Sequence, residues 1–516
     1  MKPRYYITTP IYYVNDAPHI GHAYTSLACD VLARFKRLDG YDVMFLTGTD
    51  EHGQKVAKSA EAAGTDPQLF TDKVSQHFRD LAKALNLSND DFIRTTEERH
   101  KKACRALWDE LVKRGEIYLG TYAGWYAVRD EAYYAEDELT SGPNGVKLAP
   151  SGAECEWVEE SSYFFKLSAW GERLLAFYDK HPDCILPISR RNEVISFVKS
   201  GMRDLSVSRT AMKWGVPVPN EPRHVMYVWI DALTNYLTAV GYPDSQADSY
   251  KKFWPADLHM VGKDILRFHA VYWPAFLMAA GLEPPRRVFA HGWWTNEGQK
   301  ISKSIGNVID PYELIKTYGL DQMRYFLLRE VPFGNDGDFS RAAMTRRINS
   351  ELANDLGNLA QRSLSMINKN CGGQVPAFGA LTTADQALLR RAQTLLSEVR
   401  RELDVQAFHK AFDHVWALIG DGNRYVDEQA PWALKKNDPP RMATVLYVLA
   451  EVLRHLAILL QPFMPASMGC LLDQLAVPLE ARSFACLTKD FALKPGTGLP
   501  APEGVFPRYV EPDAAG

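Results

Sequence analysis

A strand, a loop, a helix and a second strand follow one another at the start of the chain, and that order admits few architectures. Tyr5-Tyr6-Ile7-Thr8-Thr9 is rich in β formers and stops at Pro10, after which Leu27, Ala28, Val31, Leu32 and Phe35 recur at helical spacing. Val43-Met44-Phe45-Leu46 is then a short continuous apolar run between Gly40 and Gly48, as expected of a strand buried on both faces of a parallel sheet. Two parallel strands need a crossover, so the segment reads as a βαβ unit whose sheet carries helices on its faces.

Residues from about 116 to 222 differ in character: Tyr118, Tyr122, Trp125, Tyr126, Tyr133 and Tyr134 cluster there, interrupted by the Gly/Pro-punctuated TSGPNGVKLAPSG. The sheet is therefore expected to be split by an inserted domain of mixed α and β. A second βα region is expected to resume near His224-Val225-Met226-Tyr227-Val228-Trp229-Ile230, with a further strand at Leu258-His259-Met260-Val261 ending at Gly262. From about 345 onward Val445, Leu446, Val448, Leu449, Val452, Leu453 and Leu456 show helical periodicity, which predicts a helix bundle followed by an irregular Pro/Gly-rich tail from Lys494. The expected class is α/β: a Rossmann-type parallel sheet in two halves (1–115 and 223–290) around an insertion (116–222), a loop region (291–344), and an α-helical bundle with its tail (345–516).

The 516 residues suit three or four domains, and 46% hydrophobic with 24% charged residues excludes a disordered chain. With 59 basic and 63 acidic side chains no bulk cationic field attracts nucleic acid or anionic lipid, so any RNA must be held by local patches. MKPRYYITTP lacks the apolar core of a secretory signal, and no run approaches the ~20 apolar residues of a membrane span; a cytosolic protein is expected, with neither membrane nor DNA as a partner. Cysteines 29, 104, 155, 184, 371, 470 and 486 are scattered without a Cys-x-x-Cys pair, so no disulfide framework or zinc knuckle is suggested.

Two short motifs carry chemistry. Ala17-Pro18-His19-Ile20-Gly21-His22 falls at a strand-to-helix junction, where backbone N–H groups and the helix dipole favour an anion. His19 and His22 share one side of the first turn, and Gly21 leaves room for a nucleotide ring against the backbone; two surface histidines or an incomplete metal pair would look the same. Lys300-Ile301-Ser302-Lys303-Ser304, preceded by Asn296-Glu297-Gly298-Gln299, offers two lysines for charge developing on a triphosphate, although a short basic loop alone reads equally as a solvated turn.

In this order the pair resembles the HIGH and KMSKS motifs of the class I aminoacyl-tRNA synthetases, with Ile301 where the family usually has Met. TTPIYYVNDAPHIGH, FLTGTDEHG, YVWIDALTNY and GKDILRFHAVYWP extend the resemblance to the methionyl-tRNA synthetases over nearly the whole chain. Bottom-up, Ile11, Tyr13, Trp229, Ala232, Leu233, Tyr236, Ile265, Phe268 and His269 suit a flexible thioether, since sulfur on aromatic edges is favourable, and Asp50 suits the α-ammonium; without the resemblance they read as core and a loop or helix cap. The resemblance further implies that His19, His22, Lys300 and Lys303 are catalytic, and that His19, Gly21, His22, Lys300, Ser302 and Lys303 meet ATP, with Gly262 and Asp264 at the adenylate ribose. Glu51 and His52 receive no role.

In the bundle, Asn358, Arg362 and Trp432 match the family's anticodon readers; unaided, they read as a helix-surface pair and a core tryptophan. Many members carry a zinc knuckle in the insertion, but the matching stretch here reads Trp125-Tyr126-Ala127-Val128-Arg129-Asp130, and Cys155 alone cannot complete a site, so no structural zinc is expected. The chain ends soon after the bundle without an appended dimerisation domain, so a monomer is expected. The implied reaction joins methionine to ATP, with Mg2+ on the triphosphate, and passes it to the terminal adenosine of tRNA(Met) for initiation and elongation. About 105 residues of insertion are too few for the editing domain of valyl, leucyl or isoleucyl enzymes, and a cysteinyl enzyme would call for a zinc-thiolate site. A nucleotidylyltransferase would not need the bundle, and a non-catalytic RNA-binding relative would not need both histidines and both lysines.

Overall fold

The computed structural model describes residues 2–14, 17–130, 132–301 and 306–511. The chain forms two compact units, one of residues 4–18 and 43–291, the other of residues 1–3, 19–42 and 292–516.

The first unit is built on a seven-stranded sheet. Its strands are β1 (Arg4–Thr8), β2 (Tyr12–Tyr13), β3 (Asp42–Asp50), β4 (Asp91–Arg94), β5 (Ile185–Leu186), β6 (Leu258–Gly262) and β7 (Val288–His291). They lie in the order β5-β7-β6-β1-β3-β2, with β4 beside β3. Parallel pairing joins β1 to β6, β6 to β7, β7 to β5, and β3 to both β2 and β4. From β1 the chain runs to β3 on one side and later returns as β6 on the other, so the order reverses at β1. In such sheets ligands bind outside the carboxyl ends of the strands at the reversal. Thr8, Asp50 and Gly262 are the last residues of β1, β3 and β6 and therefore mark that edge. The strands are buried almost continuously, which is why they read as apolar runs and not as alternation.

Between β4 and β6 lies the insertion, whose main feature is an antiparallel pair, Ile117–Ala127 with Glu154–Phe165. Two details depart from the sequence reading. Ile185–Leu186, inside the insertion, pairs in parallel with Val288 and Phe289 and so belongs to the main sheet. Glu221–Met226, read as the return of the parallel sheet, instead pairs antiparallel with Ser208–Arg209 and Pro217–Val218 in a separate three-stranded sheet. Beyond Tyr227 the chain is helical over Val228–Leu233, and the main sheet resumes only at β6.

The second unit contains helix α1 (Ile20–Leu38), a small sheet of Trp294–Asn296, Gln299–Lys300 and Gly337–Phe339, and the bundle. Asp30 of α1 and Arg324 of the helix Leu320–Arg329 are both fully buried and 2.6 Å apart; Arg324 also donates to the carbonyls of Pro462 and Phe463. That pair ties α1 to the bundle. The helix Pro439–Leu460 is apolar and long enough to cross a membrane, contrary to the expectation of no such run, but 94% of its most apolar window is buried inside the fold. It is the core helix of the bundle.

Candidate active site

The turn that opens α1 is organised by its own histidines. His19 is the N-cap; its Nδ1 accepts the Gly21 N–H at 3.1 Å, while His22 Nδ1 accepts the His19 N–H at 3.0 Å. The ring centroids are 4.0 Å apart. An Nδ1 that accepts a hydrogen bond carries no proton, so each neutral ring holds its proton on Nε2 and presents an N–H donor beside the positive end of the helix. Such a turn suits an anion of several oxygens. The structure adds a second reason for Gly21: a Cβ there would lie 2.9 Å from His19 Cε1 and 3.1 Å from its Nδ1. The glycine makes room for the His19 ring itself.

In the same unit, exposed Lys300 ends a short strand paired through Thr295. Asn296 donates to the Asn307 carbonyl at 2.8 Å and Asn307 to the Lys300 carbonyl at 3.0 Å, closing the stem of the basic loop. Ser302 and Lys303, named from the sequence, lie outside the described residues.

In the first unit the candidate pocket residues gather near the reversal edge. Trp229, on helix Val228–Leu233, stacks on Phe268 at 3.7 Å and 7°, and meets His269 edge-on at 6.1 Å. The Tyr236 hydroxyl is 2.7 Å from His269 Nε2, whose Nδ1 is 2.9 Å from the Ile265 carbonyl. A carbonyl only accepts, so Nδ1 holds the proton and Nε2 accepts the tyrosine O–H. Burial holds the His269 pKa down at about 4, against the raising effect of the Ile265 carbonyl and Asp264. The ring is therefore a neutral, fixed wall. Ile11, Tyr13, Trp229 and Ile265 pack half-buried on the core that includes buried Leu233 and Tyr236, and Ala232 is buried beside Leu233. Asp50, 8% exposed, closes β3 opposite Tyr13. At the end of β6, a Cβ on Gly262 would lie 2.5 Å from Asp264 Oδ1, so the glycine lets the Asp264 carboxylate fold back over the strand end.

Sequence reasoning left out the polar network behind this pocket. Both Glu51 oxygens are held by Arg94, at 2.7 and 2.9 Å, and by Thr49 and Thr96; Thr95 binds its N–H and Trp214 its carbonyl. His52 Nδ1 lies 2.6 Å from Asp231 Oδ2, and His100 Nε2 lies 2.8 Å from Asp231 Oδ1, with all three side chains buried. Cys104 Sγ joins at 3.2 Å from His100 Nε2. These are hydrogen-bond lengths; two ligands on one tetrahedral zinc stand roughly 3.3 Å apart or more. The available signal was an acidic residue inside the apolar run of YVWIDAL.

In the bundle, Asn358 and Arg362 sit on the helix Asn358–Asn370 and Trp432 on Pro431–Asn437. The Arg362 guanidinium lies 5.4 Å over the Trp432 ring and donates to Asp427 at 2.9 Å. Trp432 is 49% exposed, which removes the reading of a core tryptophan. An open indole backed by a guanidinium suits base stacking.

Comparison with known proteins agrees along the whole chain. The family model described as tRNA synthetases class I (M) matches residues 5–364, and that of the anticodon binding domain of methionyl tRNA ligase matches residues 375–515. The methionine–tRNA ligase of Mesorhizobium japonicum is 58% identical over 514 residues, covering 100% of this chain and 99% of its own. That of Rickettsia bellii is also 58% identical, over 99% of this chain and 100% of its own. Among solved structures, Mycobacterium tuberculosis methionyl-tRNA synthetase in complex with methionyl-adenylate superposes with a TM-score of 0.96 at 54% identity, covering 98% of this chain and 100% of that one. The chain belongs to the methionine–tRNA ligases, within the class I aminoacyl-tRNA synthetases.

Proposed function

We infer that the chain activates L-methionine with ATP and transfers it to tRNA(Met). A carboxylate oxygen of methionine attacks the α-phosphorus, the bond to the bridging oxygen breaks, and pyrophosphate leaves. The terminal adenosine hydroxyl of tRNA then attacks the carbonyl of the adenylate, and AMP departs. The observation that carries the reading is the agreement, over 98% of the chain, with a synthetase described as in complex with methionyl-adenylate.

The roles of individual residues follow from their chemistry. Asp50 holds the α-ammonium by a charge-assisted hydrogen bond. The side chain lies against Ile11, Tyr13, Trp229, Ala232, Leu233, Tyr236, Ile265, Phe268 and His269, a lining of aromatic edges and aliphatic carbon suited to a thioether. Gly262 and Asp264 receive the ribose. The Nε2–H groups of His19 and His22 bind phosphate oxygens where charge grows as the bond breaks, with Gly21 making room, and Lys300, Ser302 and Lys303 act on the triphosphate as it leaves. Imidazole and ammonium donors suit phosphate oxygens and not a hard cation, so Mg2+ would arrive on the triphosphate, held by phosphates and water, and would neutralise its charge there. No structural zinc is proposed. Asn358, Arg362 and Trp432 read the anticodon; the protein works as a cytoplasmic monomer serving initiation and elongation, with neither DNA nor a membrane as a partner.

Separating the two half-reactions tests this assignment. Trp432→Ala should leave methionine-dependent pyrophosphate exchange within twofold of the parent and lower tRNA charging by about tenfold or more, since one base stack is worth about 1–3 kcal/mol. Unchanged charging would remove Trp432 from anticodon reading.

A further inference from the structure

The segment Asp50-Glu51-His52 leaves the end of β3 with Asp50 facing the proposed ammonium position, and its neighbours are tied down from two directions. On the side of β4, Glu51 is held by Arg94 and Thr96. For His52, the tie is the Asp231 carboxylate. Asp231 lies on the helix Val228–Leu233, two residues after Trp229 and one before Ala232, so it belongs to the element that forms the side-chain wall. One oxygen takes His52 Nδ1 at 2.6 Å; the other takes His100 Nε2 at 2.8 Å from the helix Glu98–Lys113, whose own Nδ1 is 3.1 Å from Thr238 Oγ1.

Resting on the reading of Asp50 as the ammonium partner, we propose that Asp231 is a positioning residue: through His52 it fixes the Asp50 carboxylate relative to Trp229 and Ala232, and so sets the distance between the ammonium and thioether ends of the bound amino acid. Asp231 itself does not touch the substrate. Burial alone would favour its neutral form, but the electrostatic pull of His52 and the hydrogen bonds from His100 and His52 outweigh that and hold its carboxyl below the usual range. An ionised carboxylate accepts on both oxygens at once, which a neutral amide of the same shape cannot do. Glu51 and His52 thereby gain a shared purpose, since both anchor the chain that leaves Asp50, one through Arg94 and Thr96 and the other through Asp231.

The test compares Asp231→Asn, Asp50→Asn and the double variant in methionine-dependent pyrophosphate exchange, with the desamino analogue of methionine as a competitor that lacks the ammonium. Asp231→Asn should raise the KM for methionine about tenfold, as expected for a lost hydrogen bond to a charged group, with kcat and the KM for ATP within about twofold and the analogue inhibiting as before. The double variant should bind methionine no worse than Asp50→Asn, because both act on one interaction. Should Asp231→Asn fold poorly, His52 serves instead: His52→Asn places an amide N–H near the former Nδ1 and should retain methionine affinity, whereas His52→Leu should lose it. Equal weakening of methionine and analogue, or full additivity with Asp50→Asn, would overturn the proposal while leaving the role of Asp50 intact. An unchanged methionine KM in Asp50→Asn would overturn both.

Discussion

Gly21→Ala sets helix propensity against the geometry of the turn proposed to bind phosphate. Gly21 is the second residue of α1, and alanine in a helix is favoured over glycine by about 1 kcal/mol, so propensity alone predicts a more stable protein. The new Cβ, however, would stand 2.9 Å from His19 Cε1 and 3.1 Å from Nδ1. Carbon atoms in contact prefer about 3.5–4.0 Å, so the ring must retreat by roughly 0.6–1 Å. The bond from Gly21 N–H to His19 Nδ1, already 3.1 Å, would then be lost, at a cost of about 1 kcal/mol for a capping interaction. The two stability terms nearly cancel, while on the proposed role the displaced Nε2–H would no longer meet the phosphate, and a misplacement of about 1 Å costs about a hundredfold in rate. Pyrophosphate exchange at saturating methionine and ATP, run beside a thermal melt, should therefore show a roughly hundredfold slower enzyme with a melting temperature close to the parent's. Exchange within threefold of the parent would refute the claim that Gly21 exists to seat the His19 ring.

Lys303→Ala should slow adenylate formation by about 2 kcal/mol or more with methionine affinity nearly unchanged, as stopped-flow and equilibrium binding would show; equal losses in both would deny it a transition-state role. Histidine NMR should find His269 titrating near its lowered value of about 4, and a midpoint near the ordinary 6.5 would contradict the buried, neutral ring. Because the unfolded chain takes up that proton between about 6.5 and 4 and the folded pocket does not, stability should fall as pH drops through this window, by up to about 3 kcal/mol from this group. Arg324→Ala removes Asp30's bundle partner, leaving Arg34 of α1 at 2.7 Å, and should destabilise the second unit by about 3 kcal/mol, the low end for a broken buried pair, in differential scanning calorimetry; a loss below 1 kcal/mol would show the pair to be dispensable.

Much of the sheet was legible because strands buried on both faces are written as unbroken apolar runs, as in Val43–Leu46 and Leu258–Val261. Partner choice was not. His224–Met226 reads as a strand and is one, but periodicity carries no record of which strand it pairs with, and the two residues of β5 are too few to show any period. The same limit applies at the site. Trp229, Tyr236, Phe268 and His269 were individually visible as aromatic positions, and they do cluster. Asp231 and His100 escaped notice because a charged residue within a helix usually faces solvent; only the fold reveals that both are buried against each other. The reason for Gly21 depends on the rotamer of its own neighbour, which no sequence pattern records.

The central claim is that the amino acid activated is methionine, and the most direct measurement is exchange of labelled pyrophosphate into ATP with each standard amino acid supplied separately and no tRNA present. The account predicts exchange with methionine at least a hundredfold above any other, as expected when about 3 kcal/mol of pocket discrimination separates it from smaller aliphatic residues. Exchange driven equally well by leucine, isoleucine or another amino acid would contradict it.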